Sequence, residues 1–336
     1  FPPDKVPWRI EYELSALRAF LEQDSEPVIA FYGGEPLLEP DFIREVMDRV
    51  GAERWVIQTN GLLVQRLDPS YWRRFDAVLL SIDGPPKVTD FYRGTGVYAR
   101  VVRAAKWLRS IGFEGDLIAR MTVGESSDIF RDVMHLVETG LFSHIHWQLD
   151  VIWSDRWTNF RGWLARSYLP GLKRLVNRWL SAAEQGHVLG IAPLLGVLKG
   201  IHEGGLPKPP CEAGERAFAI LPNGKILACP IAFDASWAYL GHIETHAPQE
   251  LPGRVRIEQP CLNCPDFTLC GGRCLYAHKE RLWGMEGFHQ VCKATRFFLD
   301  LVQEVYPRVL ELVKEGRLEP SVFTYPRFNN SIEIIP

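Results

Sequence analysis

Residues 27–40 read PVIAFYGGEPLLEP. The first half of this run is short, apolar and rich in β-formers. It ends in a Gly pair, and each glycine inside a helix would cost about 1 kcal/mol, so the run reads as a buried strand leading into a turn. Four runs of the same kind follow: WVIQTNG (55–61), AVLLSIDG (77–84), DLIARMTV (116–123) and HIHWQLDVIW (144–153). Apolar residues recur at helical spacing between them, first Ile10, Leu14, Leu17 and Leu21, then Phe42, Val46 and Val50, then Val101, Ala105 and Leu108. Strand alternating with helix is the order of a parallel α/β sheet. With one curved sheet it predicts a partial (β/α)6 barrel of the TIM type, whose working residues gather at the C-terminal ends of the strands.

The chain has 336 residues, of which 46% are hydrophobic and 24% charged, with a net charge of −3. That is the balance of an ordinary globular protein of one large domain or two. No run of Lys and Arg would track a phosphate backbone, so nucleic acid is not an expected partner. No stretch approaches about 18 consecutive apolar residues. The opening FPPDKVPWRI lacks the charged-then-apolar order of a secretory signal. No membrane partner and a cytoplasmic location are therefore expected.

Residues 154–200 read as mostly helical, and GGLPKPP (204–210) as a boundary, because two Gly and three Pro cannot continue a helix or a central strand. The expected division is a partial barrel over 1–205, a cysteine domain over 206–300, and a C-terminal helix and tail over 301–336. A helical pattern from Lys293 to about Lys314 contains Pro307, which is expected to kink or split it.

All seven cysteines fall between Cys211 and Cys292. An odd count, confined to one window, argues for metal or cluster ligation over a disulfide framework. Twelve residues separate Cys211 from Gly224, and four more lead to Cys229; PNGK (222–225) is a turn between short strands that brings the two cysteines together. CLNCPDFTLCGGRC places Cys261, Cys264, Cys270 and Cys274 at intervals of two, five and three residues, with Cys292 seventeen residues beyond. Four thiolates could bind zinc. Seven divide more naturally into a four-cysteine and a three-cysteine iron–sulfur site.

The strand ends carry the other candidates. Gly33 and Gly34 allow close approach of a ligand, and the carboxylate of Glu35, before Pro36, can accept hydrogen bonds from an ammonium group. Thr59 and Asn60, then Ser81 and Asp83, end the next two strands. Arg93 follows Ser81 by twelve residues and can pair with a carboxylate. Arg120 lies inside an apolar strand and needs an anion, because an unpaired buried charge is costly. Gln148 and Asp150 end the last strand, where substrate or a ribose could lie, and His144 and His146 read as structural.

The cysteine pattern, Gly224 included, resembles the SPASM domain, the seven-cysteine extension of radical S-adenosylmethionine (SAM) enzymes that modify peptides and proteins, uncharacterised archaeal members among them. The resemblance implies that Cys211, Cys229 and Cys274 hold a first auxiliary [4Fe–4S] cluster, and that Cys261, Cys264, Cys270 and Cys292 hold a second. It implies that Gly33, Gly34, Glu35 and Pro36 bind the methionine amino group of SAM. Thr59, Asn60, Ser81, Asp83 and Arg93 are similar to that family's SAM-facing turns, with Arg120 and Gln148 as further contacts. It also implies a peptide or protein substrate and a low-potential electron donor such as ferredoxin or flavodoxin.

The same family needs a CxxxCxxC loop for a third, SAM-binding [4Fe–4S] cluster, and this sequence contains none. The expectation is that the loop and a first strand precede Phe1, and that the chain as given is inactive without them. The alternative is a non-catalytic iron–sulfur electron-transfer or peptide-binding protein. Sulfatase-maturating relatives place an aspartate directly after the second auxiliary cysteine. Here Pro230 follows Cys229, and the nearest aspartate is Asp234.

Overall fold

The structure is a computed structural model that describes residues 6–151, 157–205, 208–281 and 283–326. Five strands form one sheet in the order β1 (Val28–Phe31), β2 (Arg54–Thr59), β3 (Ala77–Ser81), β4 (Asp116–Val123) and β5 (His144–Leu149). Every neighbouring pair is parallel. These are the five runs expected from the sequence, joined by helices as a parallel sheet requires. The residues Ile152 and Trp153, expected to prolong β5, lie outside the described residues.

The sheet is an α/β partial barrel, and β3 at its centre is buried along its whole length. On the outer face Val78, Leu80, Leu117, Ala119 and Met121 join a core with the helices Pro40–Arg49, Val97–Ser110 and Ile129–Glu138. On the inner face Val56, Ala77, Leu79 and Ile118 form a small separate cluster. The register then sets Ser81, Arg120 and His146 side by side, two residues further along that inner face. The barrel interior thus passes from apolar to polar toward the C-terminal ends of its strands.

The two sheet edges differ. β1 leaves Val28 exposed at 44%. At β5 the Ile145 N–H donates to the carbonyl of Gly190 at 2.7 Å, and a side chain at Gly190 would collide with the Ser143 carbonyl. Glycine is what lets the chain close against that edge.

Helix Leu14–Leu21 starts four residues later than the Ile10 periodicity suggested. The Glu11 N–H instead donates to Pro222 of the cysteine region at 2.8 Å. That region holds a three-stranded antiparallel sheet, β6 (Ala219–Ile220), β7 (Lys225–Leu227) and β8 (Tyr239–His242), with PNGK turning between the first two. Gly224 has φ +77°, and a Cβ there would meet the His242 ring at 2.5 Å.

The last helix runs from Gly284 to Lys314 without a break. It begins nine residues before Lys293, takes in Cys292 and passes straight through position 300, where the sequence reading set a domain limit. Pro307 neither ends nor splits it, although proline cannot donate to the Gln303 carbonyl. The helix packs against Leu169–Ala183 and Ala192–His202, which hold it along its length. Part of the boundary at 204–210 lies outside the described residues, since 206 and 207 are not described. Among the described residues no helix is long and apolar enough to cross a membrane.

Candidate functional site

The turn after β1 is built by left-handed glycines, Gly33 at φ +98° and Gly34 at φ +52°. Pro36 then starts a short helical turn, Pro36–Leu38, for which Glu35 is the cap. Glu35 Oε1 accepts the Leu37 N–H at 3.1 Å and the Thr59 hydroxyl at 2.7 Å, and Oε2 accepts the Asn60 N–H at 2.8 Å. One carboxylate therefore ties the end of β1 to the end of β2. Three donors fill three of its roughly four lone-pair sites, which leaves room for one more. Asn60 completes the second turn by accepting the Leu62 N–H at 2.8 Å.

At the end of β3, Ser81 is buried and Asp83 is 1% exposed. Arg93 donates to both oxygens of Asp83, at 2.6 and 2.7 Å, and the Thr122 N–H adds 2.8 Å to Oδ1. Arg93, expected to be able to pair with a carboxylate, pairs here with Asp83 through Nε and Nη2. Arg120, buried at 5% exposure, sends Nη1 to the Met121 carbonyl at 2.7 Å and Nη2 to Gln148 Oε1. Carbonyl oxygens take these two donors. Asp150 accepts Trp157 Nε1 on its backbone carbonyl at 2.6 Å, and His144 pairs with Asp116 at 2.8 Å, in keeping with its structural reading. The turns of Glu35, Thr59 and Asn60 come together; Asp83 and Arg93 form one pair, and Arg120 and Gln148 another.

Several of the cysteine thiols act on one another or on a shared neighbour. Burial, followed by the thiols of Cys292 and Cys264, pushes Cys261 up to about 11. Burial pushes Cys270 up to about 12, with Cys292 and Cys261 adding to it, and Cys292 is raised by burial and by Cys264. Cys261, Cys264, Cys270 and Cys292 therefore lie within electrostatic reach of one another. Cys229 and Cys274 both act on Tyr276, whose hydroxyl is raised first by burial. All seven thiols are free of disulfides.

Among the described residues no three His, Cys, Asp or Glu side chains converge tightly enough for a single metal ion. Thiols are the ligand type that iron–sulfur centres take.

Residues 6–137 match the family model of the Radical SAM superfamily. Over those residues the chain is similar to radical SAM domains. The match spans β1 to β4 and ends well before the cysteines. Mycofactocin maturase MftC of Mycobacterium ulcerans (strain Agy99) is 26% identical over 274 residues, 73% of this chain and 69% of that protein. Among solved structures, anSMEcpe with bound AdoMet and Cp18Cys peptide superposes with a TM-score of 0.68 at 19% identity, over 90% of this chain and 91% of that one. Streptococcus suis SuiB bound to precursor peptide SuiA gives 0.50 at 16% identity, over 80% and 67%. At such identities the structural likeness is one of fold.

Several residues around the radical SAM turns and the thiols escaped the sequence reading. Gln58 stands beside Leu79 on the inner face of the sheet. Arg296 Nη2 donates to Cys264 Sγ at 3.0 Å, and His278 Nδ1 lies 3.5 Å from Cys261 Sγ. Arg273, between Cys270 and Cys274, is buried at 6% exposure. Only Arg273 had a signal, its place inside the cysteine motif.

Proposed function

We propose that this chain is the SAM-binding barrel and auxiliary-cluster region of a radical SAM enzyme that abstracts hydrogen from a peptide or protein and so installs a post-translational modification. The observation that carries this reading is the Glu35 carboxylate, which joins two turns of a matched radical SAM domain and keeps one acceptor site open at their junction. An ammonium group such as that of SAM suits that site. Gly33 and Gly34 let the bound molecule approach the backbone, and Thr59 and Asn60 hold the carboxylate in place.

A SAM-binding [4Fe–4S] cluster, whose cysteine loop this sequence does not contain, would supply the electron for reductive cleavage of SAM. The chain's own part is to orient SAM at the strand ends and to keep the target hydrogen close and water away. Arg120 and Gln148 line the polar end of the inner face, against which a substrate would lie. We assign Cys211, Cys229 and Cys274 to a first auxiliary cluster, and Cys261, Cys264, Cys270 and Cys292 to a second.

The peptide substrate is supported by relatives: anSMEcpe was solved with a peptide and SuiB with a precursor peptide. A small low-potential donor of the ferredoxin or flavodoxin class is the proposed electron source. The reading is tested by isothermal titration of SAM into the reconstituted protein. Binding that Glu35→Ala weakens at least tenfold supports it, and SAM affinity indifferent to Glu35 speaks against it.

A further inference from the structure

Glu35 holds the N–H of Leu37, and the carbonyl of the same residue needs a partner of its own. In a 3₁₀ turn each carbonyl accepts from the N–H three residues on. The Glu35 and Pro36 carbonyls do so, from Leu38 at 3.1 Å and Glu39 at 3.0 Å. For Leu37 the residue three places on is Pro40, which has no N–H to give. The side chain of Leu37, fully buried, anchors the turn in the core.

The missing donor comes from the neighbouring turn. Arg66 Nη1 donates to the Leu37 carbonyl at 3.1 Å and to the Leu38 carbonyl at 3.2 Å. A cationic donor suits the end of a helical turn, where unpaired carbonyls point outward. Arg66 closes the one-turn helix Val64–Arg66, which follows the Asn60 turn. That helix is itself fastened to the core: the Val64 carbonyl accepts Nε1 of the fully buried Trp72 at 2.9 Å. The backbone that carries Arg66 is thus tied to the interior, although its side chain lies at the surface.

The ends of β1 and β2 are therefore joined in both directions. The first turn sends a carboxylate to the Thr59 hydroxyl and the Asn60 N–H, and the second returns a guanidinium to the Leu37 and Leu38 carbonyls. The two ties meet at Leu37, with Glu35 on its N–H and Arg66 on its carbonyl. Resting on the Glu35 reading above, we propose that Arg66 is a positioning residue for SAM binding. By supplying the donor that Pro40 lacks, it holds the Pro36–Leu38 turn so that the remaining acceptor site of Glu35 stays open to the ligand's ammonium group. It acts through Leu37 and Glu35.

The test is a double-variant cycle, read by isothermal titration of SAM into the full-length gene product reconstituted without oxygen, with thermal unfolding recorded for each protein. Arg66→Ala should weaken SAM binding about threefold or more, the effect of one modest hydrogen bond, at a melting temperature within a few degrees of the wild type. Arg66→Lys keeps a cationic donor and should recover most of the affinity. In the Glu35→Ala background the same Arg66→Ala change should alter affinity less than about twofold, because the carboxylate it positions is gone. Arg66→Ala that binds SAM as the wild type does overturns the proposal. So does an equal loss with and without Glu35, which would make the effect independent of the carboxylate. Should Arg66→Ala fail to fold, Arg66→Gln takes its place and is read against the same two outcomes. SAM affinity indifferent to Glu35→Ala sinks the carboxylate reading itself, a result visible before any Arg66 variant is made.

Discussion

Arg93 grips Asp83 at two points, Nε to Oδ2 at 2.6 Å and Nη2 to Oδ1 at 2.7 Å, while the Thr122 N–H holds the same Oδ1 from β4. Helix Pro86–Arg93 is thereby pinned to the ends of two strands. Because the carboxylate is buried and the guanidinium partly exposed, Asp83→Asn should destabilise the fold by about 2–4 kcal/mol. Urea unfolding measures this, and a change below about 0.5 kcal/mol would mean that the pair holds nothing.

Glu35→Gln preserves shape but not acceptors. The amide oxygen can serve the Leu37 and Thr59 donors or the Asn60 N–H, never all three, so at least one donor then faces an NH2 group. A loss of about 1–3 kcal/mol in unfolding free energy is expected. Glu35→Gln as stable as the wild type would show that the junction between β1 and β2 is held by other contacts.

Gly84 has φ +123°, and a Cβ there would stand 2.6 Å from the Asp132 Cβ. Gly84→Ala must both strain the backbone and push the Ile129–Glu138 helix aside. Thermal unfolding should fall by several degrees, corresponding to about 2 kcal/mol or more. An unchanged melting temperature would contradict the close approach.

Asp132 is fully buried, and burial raises its carboxyl above the usual carboxylate range, against the opposing hydrogen bonds from Arg131 and the Asp128 N–H. Asp128 is the other acidic neighbour facing it. With the folded pKa above the unfolded one, the folded state binds the extra proton between the two values, so this residue's contribution improves as pH falls through that window. The stability of wild type relative to Asp132→Asn should therefore rise as pH drops from neutral toward 4. A gap that is flat or shrinks over this range, followed by denaturant titration, would contradict the shift.

The cysteine partition makes a separate forecast. Cys270→Ala and Cys229→Ala should each remove the iron and sulfide of one cluster, and the double variant should remove both. Elemental analysis decides it. Zinc in place of iron, or one variant emptying both sites, would show that the seven thiols are divided differently.

The strands were legible because short apolar runs closed by glycine carry their period and their limits together, as in AVLLSIDG at β3. Helix limits were less so. Ile10 has the right spacing for the first helix, yet a hydrogen bond from Glu11 to Pro222, some two hundred residues away, keeps that stretch out of it. Pro307 marked a break that the packing of neighbouring helices overrides, which no local signal reveals. At the site, the glycines and Glu35 could be read from a single turn. The partners of Arg93 and Arg120 could not, since they depend on which loops the strand register brings together. Arg296 sits thirty-two residues from Cys264 and meets it only through the long final helix.

The central claim is that the Glu35 turn presents SAM to reductive cleavage. It is tested most directly by giving the full-length gene product, reconstituted without oxygen, SAM and dithionite, and quantifying 5′-deoxyadenosine by chromatography. The wild type should form 5′-deoxyadenosine, and Glu35→Ala should form at least tenfold less. Iron-loaded protein that forms no 5′-deoxyadenosine would contradict it.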